Sequence, residues 1–204
     1  MKKIQMVDLQ GQYEPLKAQI QASFAEVLDS AAFINGPQVQ AFQKELETYL
    51  QVKHVIPCAN GTDALQIAMM GLGLKRGDEV ITADFTFAAT VEVIALLGLT
   101  PVLVDVDKDT FNINIEAIRK AITPKTKAIV PVHLYGRPAN MEAIMQIAKE
   151  YNLYVIEDNA QAIGADFTWS DGQICDFSVP IAFPLRCTPT ASWTGDQEYR
   201  PDSS

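Results

Sequence analysis

Cysteine is scarce in this sequence: three residues, Cys58, Cys175 and Cys187. Their odd number and wide spacing fit neither a disulfide framework nor a zinc site, and point to a reducing, cytoplasmic setting. Positive charge is also short. Sixteen Lys and Arg against 25 Asp and Glu leave a net charge of -9. That balance argues against nucleic acid and anionic membrane surfaces as partners, although it leaves room for a local phosphate pocket. The longest apolar stretch, residues 91–104, is broken by Glu92, Gly98, Thr100 and Pro101. It reads as helix, turn and strand and not as a membrane span. The opening Met1-Lys2-Lys3 is followed by Gln5 and Asp8, which interrupt any signal-peptide core. No G-x-G-x-x-G turn follows the first strand signal, which counts against a nicotinamide-binding Rossmann enzyme. No lysine follows Lys149, and there are only two histidines, His54 and His133.

What is present is an ordinary globular composition, 48% hydrophobic and 20% charged. Leu16, Ile20, Phe24, Val27, Leu28 and Ala31 recur at helical spacing over residues 13–31. After the loop Phe33-Ile34-Asn35-Gly36-Pro37, a second helix is expected, opened by Pro37 and burying Val39, Phe42, Leu46, Tyr49 and Leu50. From there the pattern alternates. Strands are expected at 54–58, 79–83, 101–106, 128–133 and 153–156, with helices from about 62, 86–97, 115–122 and 141–151. Strands alternating with helices of this length mean βαβ units, an α/β fold with a mostly parallel sheet. The expected organisation is an N-terminal helical segment at 1–50, a main domain at 51–172 and an irregular tail at 173–204. Pro180, Pro184, Pro189 and Pro201 exclude a long helix or central strand from that tail.

Several residues at βα junctions carry chemistry. In Asn60-Gly61-Thr62 a helix begins. Its free amides and dipole suit a phosphate, and Gly61 lets the backbone come close; a plain N-cap by Asn60 or Thr62 is the other reading. Phe87 either stacks on a planar ligand or fills the core. His133 either bonds a ligand, orients a carboxylate or is structural. The apolar strand Leu153-Tyr154-Val155-Ile156 runs directly into Glu157, Asp158, Asn159, Ala160 and Gln161. Acids at the C-terminal end of such a strand lie where open α/β sheets bind ligands, or else they only cap the next turn. Asp158 can pair with a protonated ring nitrogen, and Gln161 stands within one turn of it.

In this order on successive βα units, the segments resemble the DegT/DnrJ family of sugar aminotransferases. The similar segments are Asp8-Leu9 with Gln12-Tyr13, Phe33 to Pro37, Asn60-Gly61-Thr62-Asp63-Ala64-Leu65, and Thr86-Phe87-Ala88-Ala89-Thr90. Pro131-Val132-His133-Leu134-Tyr135-Gly136 and Ile156 to Ala162 complete the set, so the resemblance runs from about residue 5 to about residue 168. It implies a three-layer αβα domain of a fold-type-I pyridoxal 5'-phosphate (PLP) enzyme, here a truncated large domain. It implies transfer of an amino group from glutamate to a nucleotide-linked keto-sugar, by a cytoplasmic homodimer serving polysaccharide biosynthesis. Gly61 and Thr62 would bind the cofactor phosphate, Phe87 would stack on the ring, Asp158 would meet the ring nitrogen and Gln161 would lie near the ring oxygen. His133 and Asn60 would support them from behind, and no metal is implied.

The resemblance stops where the family places the lysine that carries its cofactor. Here the region reads Phe177-Ser178-Val179-Pro180-Ile181-Ala182-Phe183-Pro184-Leu185-Arg186. Arg186 is no substitute, because its guanidinium stays protonated and is a poor nucleophile. The expectation is the first half of such an enzyme with an unrelated tail, inactive as written. The alternative is a non-catalytic fragment or binding partner of a full-length homologue. A reading-frame change near Gly172 accounts for the simultaneous loss of periodicity and motif. Translation of the coding DNA in all three frames from the codon of Asp166 is expected to restore a serine-aromatic stretch with a lysine and a glycine-rich turn. Three frames without one would contradict the frame change.

Overall fold

The structure, a computed structural model, describes residues 6–172 and the backbone of 174–177. It divides into two units, one ending at Pro57 and one beginning at Cys58.

The N-terminal unit is helical. Asp8 caps α1 (Leu9–Tyr13), its Oδ1 accepting from the Gly11 amide at 2.9 Å. A 3-10 turn holding Pro15 leads into α2 (Lys17–Ser30), which ends on a left-handed Ala31. Pro37 is the first residue of α3 (Pro37–Tyr49), where its missing N–H costs no helix bond. The expected buried face of α3 is not buried as a whole. Leu50 is covered, but Phe42 and Tyr49 are exposed, as are Phe24 and Leu28 of α2. Three helices of this size do not enclose every apolar position they carry.

Residues 54–58, at the junction of the two units, form no strand, contrary to expectation. Pro57 removes a ladder donor from a run too short to lose one. In the second unit the elements then follow as α4 (Gly61–Gly71), β1 (Glu79–Ala83), α5 (Ala88–Leu96), β2 (Thr100–Val104), α6 (Ile115–Ala121), β3 (Thr126–Val130), α7 (Met141–Tyr151) and β4 (Tyr154–Val155). The four strands make one parallel sheet in the order β2-β1-β3-β4.

Period-two alternation sorts the strand side chains onto two faces. Val80, Ala128, Val130 and Ile156 pack with Leu65, Met69, Val93 and Ile94 of α4 and α5. Ile81, Ile129 and Val155 pack with Ile118, Met141, Ile144 and Ile147 of α6 and α7. The unit is therefore a three-layer αβα arrangement. The chain moves from β1 to β2 on one side and then places β3 on the other. The strand order reverses between β1 and β3, the position where open α/β sheets bind ligands at their carboxyl ends.

A fifth strand, β5 (Ala165–Thr168), pairs antiparallel with β6 (Ile174–Phe177). The stretch expected to be irregular from 173 thus begins with a strand, closed locally by the turn at Gly172. The expectation for 178–204 lies outside the described residues. Among the described residues, no helix is long and apolar enough to cross a membrane.

One buried amide ties two crossover loops together. Asn112, beyond β2, donates from Nδ2 to the carbonyls of Arg137 and Pro138, each at 3.0 Å, and accepts at Oδ1 from the Leu134 amide at 3.2 Å. Its own loop is set by Asp107, whose Oδ1 accepts from the amides of Asp109 and Thr110 at 3.0 Å. Those donors, the Asp109 amide first, hold the Asp107 carboxyl below its ordinary value. Asn112→Ala strands three backbone groups of the loop after β3. It is expected to lower stability by about 2–3 kcal/mol and to speed amide exchange at Leu134. A loss under about 0.5 kcal/mol in chemical denaturation would contradict that role.

Candidate active site

The β3–β4 pairing does not stop where the regular strands do. Pro131 has no N–H, which interrupts the ladder, but its carbonyl accepts from the Asp158 amide at 2.9 Å. The His133 amide donates in turn to the Asp158 carbonyl at 3.0 Å, so Val132 and Asp158 form a parallel bridge. The backbone of 156–158 is thereby fixed against 129–133. This is why the two acids are not merely turn residues: both are buried, Glu157 4% and Asp158 8% exposed.

Alternation sends the two carboxylates to opposite faces, and each has its own donor. Glu157 lies on the α6–α7 side and His133 Nε2 stands 2.9 Å from its Oε2. His133 Nδ1 accepts from the Ala139 amide at 3.1 Å, so the ring proton sits on Nε2 and is donated to Glu157. The imidazole is fully buried. Of the three readings of His133, the structure shows the one that orients a carboxylate, and that carboxylate is Glu157 and not Asp158. Asp158 lies on the α4–α5 side. Its Oδ2 accepts from Thr90 Oγ1 at 2.9 Å and its Oδ1 from the Ala160 amide at 3.3 Å.

Gln161 meets the loop after β3. Its Oε1 accepts from the Tyr135 amide at 2.9 Å, which leaves Nε2 as the donor end of an exposed side chain. Tyr135 holds a left-handed φ of 55° and Gly136 one of 84°. A Cβ on Gly136 would stand 3.7 Å from the Gln161 carbonyl, an ordinary contact, so it is the left-handed conformation that glycine suits.

At α4, Asn60 is the N-cap. Its Oδ1 accepts from the Asp63 amide at 2.9 Å, and its Nδ2 donates to Asp63 Oδ2 at 3.1 Å. Asn60 is therefore occupied with the cap, while the amides of Gly61 and Thr62 have no intrahelical acceptor. A Cβ placed on Gly61 would meet no atom within 4 Å, so the backbone there is uncrowded on its Cβ side. The helix packs on the sheet and is joined to β1 by residues 72–78 alone. It runs back against the strands, which brings its N-terminus toward their C-terminal edge.

Phe87 precedes α5 and is 71% exposed, which removes the reading that it fills the core. Thr90 was not singled out from the sequence as a site group, and Glu157 was noted only together with Asp158. A lone threonine in an apolar helix carries no signal until the fold places it against Asp158.

The arrangement offers open amide donors at a helix N-terminus, an exposed aromatic, and a buried carboxylate with one loosely engaged oxygen. Such a set can hold an anion at one end of a planar group and an N–H at the other. The residues present therefore fit a pyridoxal phosphate group.

Comparisons with known proteins bear on the same segments. A family model, the DegT/DnrJ/EryC1/StrS aminotransferase family, matches residues 14–183. A pleiotropic regulatory protein of Geobacillus stearothermophilus is 51% identical over 164 residues, 80% of this chain and 44% of that one. The UDP-2-acetamido-2-deoxy-3-oxo-D-glucuronate aminotransferase of Pseudomonas aeruginosa is 48% identical over 80% of this chain and 46% of its own length. Among solved structures, ntda from Bacillus subtilis with bound cofactor PMP superposes with a TM-score of 0.77 at 41% identity. It matches 80% of this chain and 38% of that one. The chain thus spans less than half the length of each of these relatives. It belongs to the DegT/DnrJ/EryC1/StrS aminotransferase family.

Proposed function

We propose that the chain is the cofactor-binding portion of a PLP-dependent nucleotide-sugar aminotransferase, and that it binds the cofactor reversibly without turning over. The observation that carries this reading is Asp158, a buried carboxylate on the α4–α5 side of the sheet with Oδ2 fixed by Thr90. When bound, the cofactor supplies the electron sink that amino-group transfer needs. The chain's own residues then have separate tasks. The Gly61 and Thr62 amides and the Thr62 hydroxyl bind the phosphate. Phe87 covers one ring face, and Gln161 offers Nε2 to the ring oxygen. Asp158 holds the proton on the ring nitrogen, and the buried His133–Glu157 pair keeps its backbone in place.

The amino donor in this reading is glutamate and the acceptor a nucleotide-linked keto-sugar. The name of the Pseudomonas relative, a UDP-keto-sugar aminotransferase, supports that substrate class. We place the complete enzyme in polysaccharide biosynthesis, in the cytoplasm and as a homodimer. The exposed Phe24, Leu28 and Phe42 support a further surface covering these helices.

A specific observation favours a second, non-catalytic reading for the chain as it stands. The family attaches its cofactor to a lysine, and none follows Lys149. Without that amine, nothing in the region attaches the cofactor covalently or carries the proton between carbon atoms.

Equilibrium dialysis with PLP tests both parts. The chain is expected to bind it reversibly, with binding weakened at least about tenfold in Asp158→Asn. No 2-oxoglutarate is expected from glutamate in the presence of a keto-sugar nucleotide. Unchanged affinity in the Asn variant would overturn the assignment of Asp158, and measurable turnover would overturn the non-catalytic reading.

A further inference from the structure

Thr90 is fully buried in the first turn of α5, a helix whose other buried residues are Ala89, Val93 and Ile94. Its hydroxyl is the one polar side-chain group in that set. It reaches across to a residue 68 positions away, with Thr90 Oγ1 2.9 Å from Asp158 Oδ2. On its other side Thr86 Oγ1 stands at 3.3 Å.

A hydroxyl has a single proton to give. With that proton donated to Asp158, Thr90 can only accept from Thr86. The order of donation is then fixed: Thr86 to Thr90, and Thr90 to Asp158. The two carboxylate oxygens are left in different situations. Oδ2 is held at 2.9 Å by a buried hydroxyl, whereas among the described residues Oδ1 meets the Ala160 amide at a longer 3.3 Å. Bonds from hydroxyl to carboxylate in a site of low dielectric are among the stronger ones, and they fix orientation as well as energy.

We propose that Thr90 is a positioning residue for the cofactor's ring nitrogen, fixing Oδ2 of Asp158 so that Oδ1 is presented as the acceptor, with Thr86 supporting it. This rests on the reading of Asp158 given above and assigns the group that makes its carboxylate directional. Thr90 does not touch the cofactor.

The test compares two ligands on the full chain: PLP, and its analogue with C–H in place of the ring nitrogen. The wild-type chain is expected to prefer PLP. Thr90→Val keeps the side-chain volume and loses the hydroxyl. It is expected to bind PLP about tenfold more weakly while changing affinity for the analogue less than about twofold. Thr90→Ser, which keeps the donor, is expected to behave as wild type. Thr86→Val, one step further out, is expected to cost PLP binding about two- to threefold and the analogue nothing.

Equal losses for both ligands in Thr90→Val would mean that Thr90 only packs, and no loss would mean that the bond does not matter; either overturns the proposal. Should Thr90→Val fail to fold, as judged by circular dichroism, Thr86→Val and Thr90→Ser decide in the same way: an effect of Thr86→Val on both ligands alike, or on neither, overturns it. A wild-type chain that binds PLP but does not discriminate the two ligands would overturn the ring-nitrogen assignment of Asp158 and this proposal with it. A chain that discriminates them while Thr90→Val matches wild type would overturn this proposal alone.

Discussion

Two carboxylates in succession at the end of a buried strand are costly to keep away from water, and the backbone pairing between β3 and β4 is what makes it possible here. The ladder is broken at Pro131, where no donor exists, and resumes one step later through the Asp158 amide and the His133 amide. That resumption fixes residues 156–158 as an extended segment. Extended backbone alternates its side chains, so Glu157 and Asp158 leave on opposite faces and never share a cavity. The sheet itself separates the two carboxylates, and each meets a neutral side-chain donor: the His133 ring on one side, the Thr90 hydroxyl on the other.

The two faces then have different characters. On the α6–α7 side the polar atoms are linked in a chain. The Ala139 amide donates to His133 and His133 to Glu157, and Asn112 ties the same loop back to the segment beyond β2. Such a set is a fastening for the loop at 133–139. On the α4–α5 side the set is open. Asp158 retains a weakly engaged oxygen, the Gly61 and Thr62 amides have no acceptor within their helix, and Phe87 is exposed. Buried polar groups with spare capacity cluster where a ligand completes them, and here they lie on the units that flank the reversal of strand order.

Much of this was legible in the residues. The strand at 79–83 and the helix at 141–151 fall where apolar periodicity places them, because each is bounded by strong local signals: Gly77-Asp78 before the strand, Asn140 as the helix cap. Asp158 and Gln161 stand out because a wholly apolar strand that ends in acids is unusual. Less was legible wherever the deciding partner is remote. The run at 54–58 looks like a strand but has Pro57 and no pairing. The apolar stripe of α3 is a correct reading of its helix and an incorrect one of its burial, since Phe42 and Tyr49 stay exposed. The strand at 174–177 was hidden by the prolines that follow it. Thr90 and Asn112 are ordinary residues in sequence and acquire their roles only through contacts made 68 and 22–26 positions away.

The central claim is that the open face of the sheet is already shaped for a phosphate at one end and a ring nitrogen at the other, independently of any covalent attachment. Amide hydrogen exchange of the full chain, with and without PLP, tests it most directly. The account predicts added protection at the amides of Gly61 and Thr62 and across 158–161, with little change in α6 and α7. Protection absent from both segments, or confined to surfaces elsewhere, would contradict it.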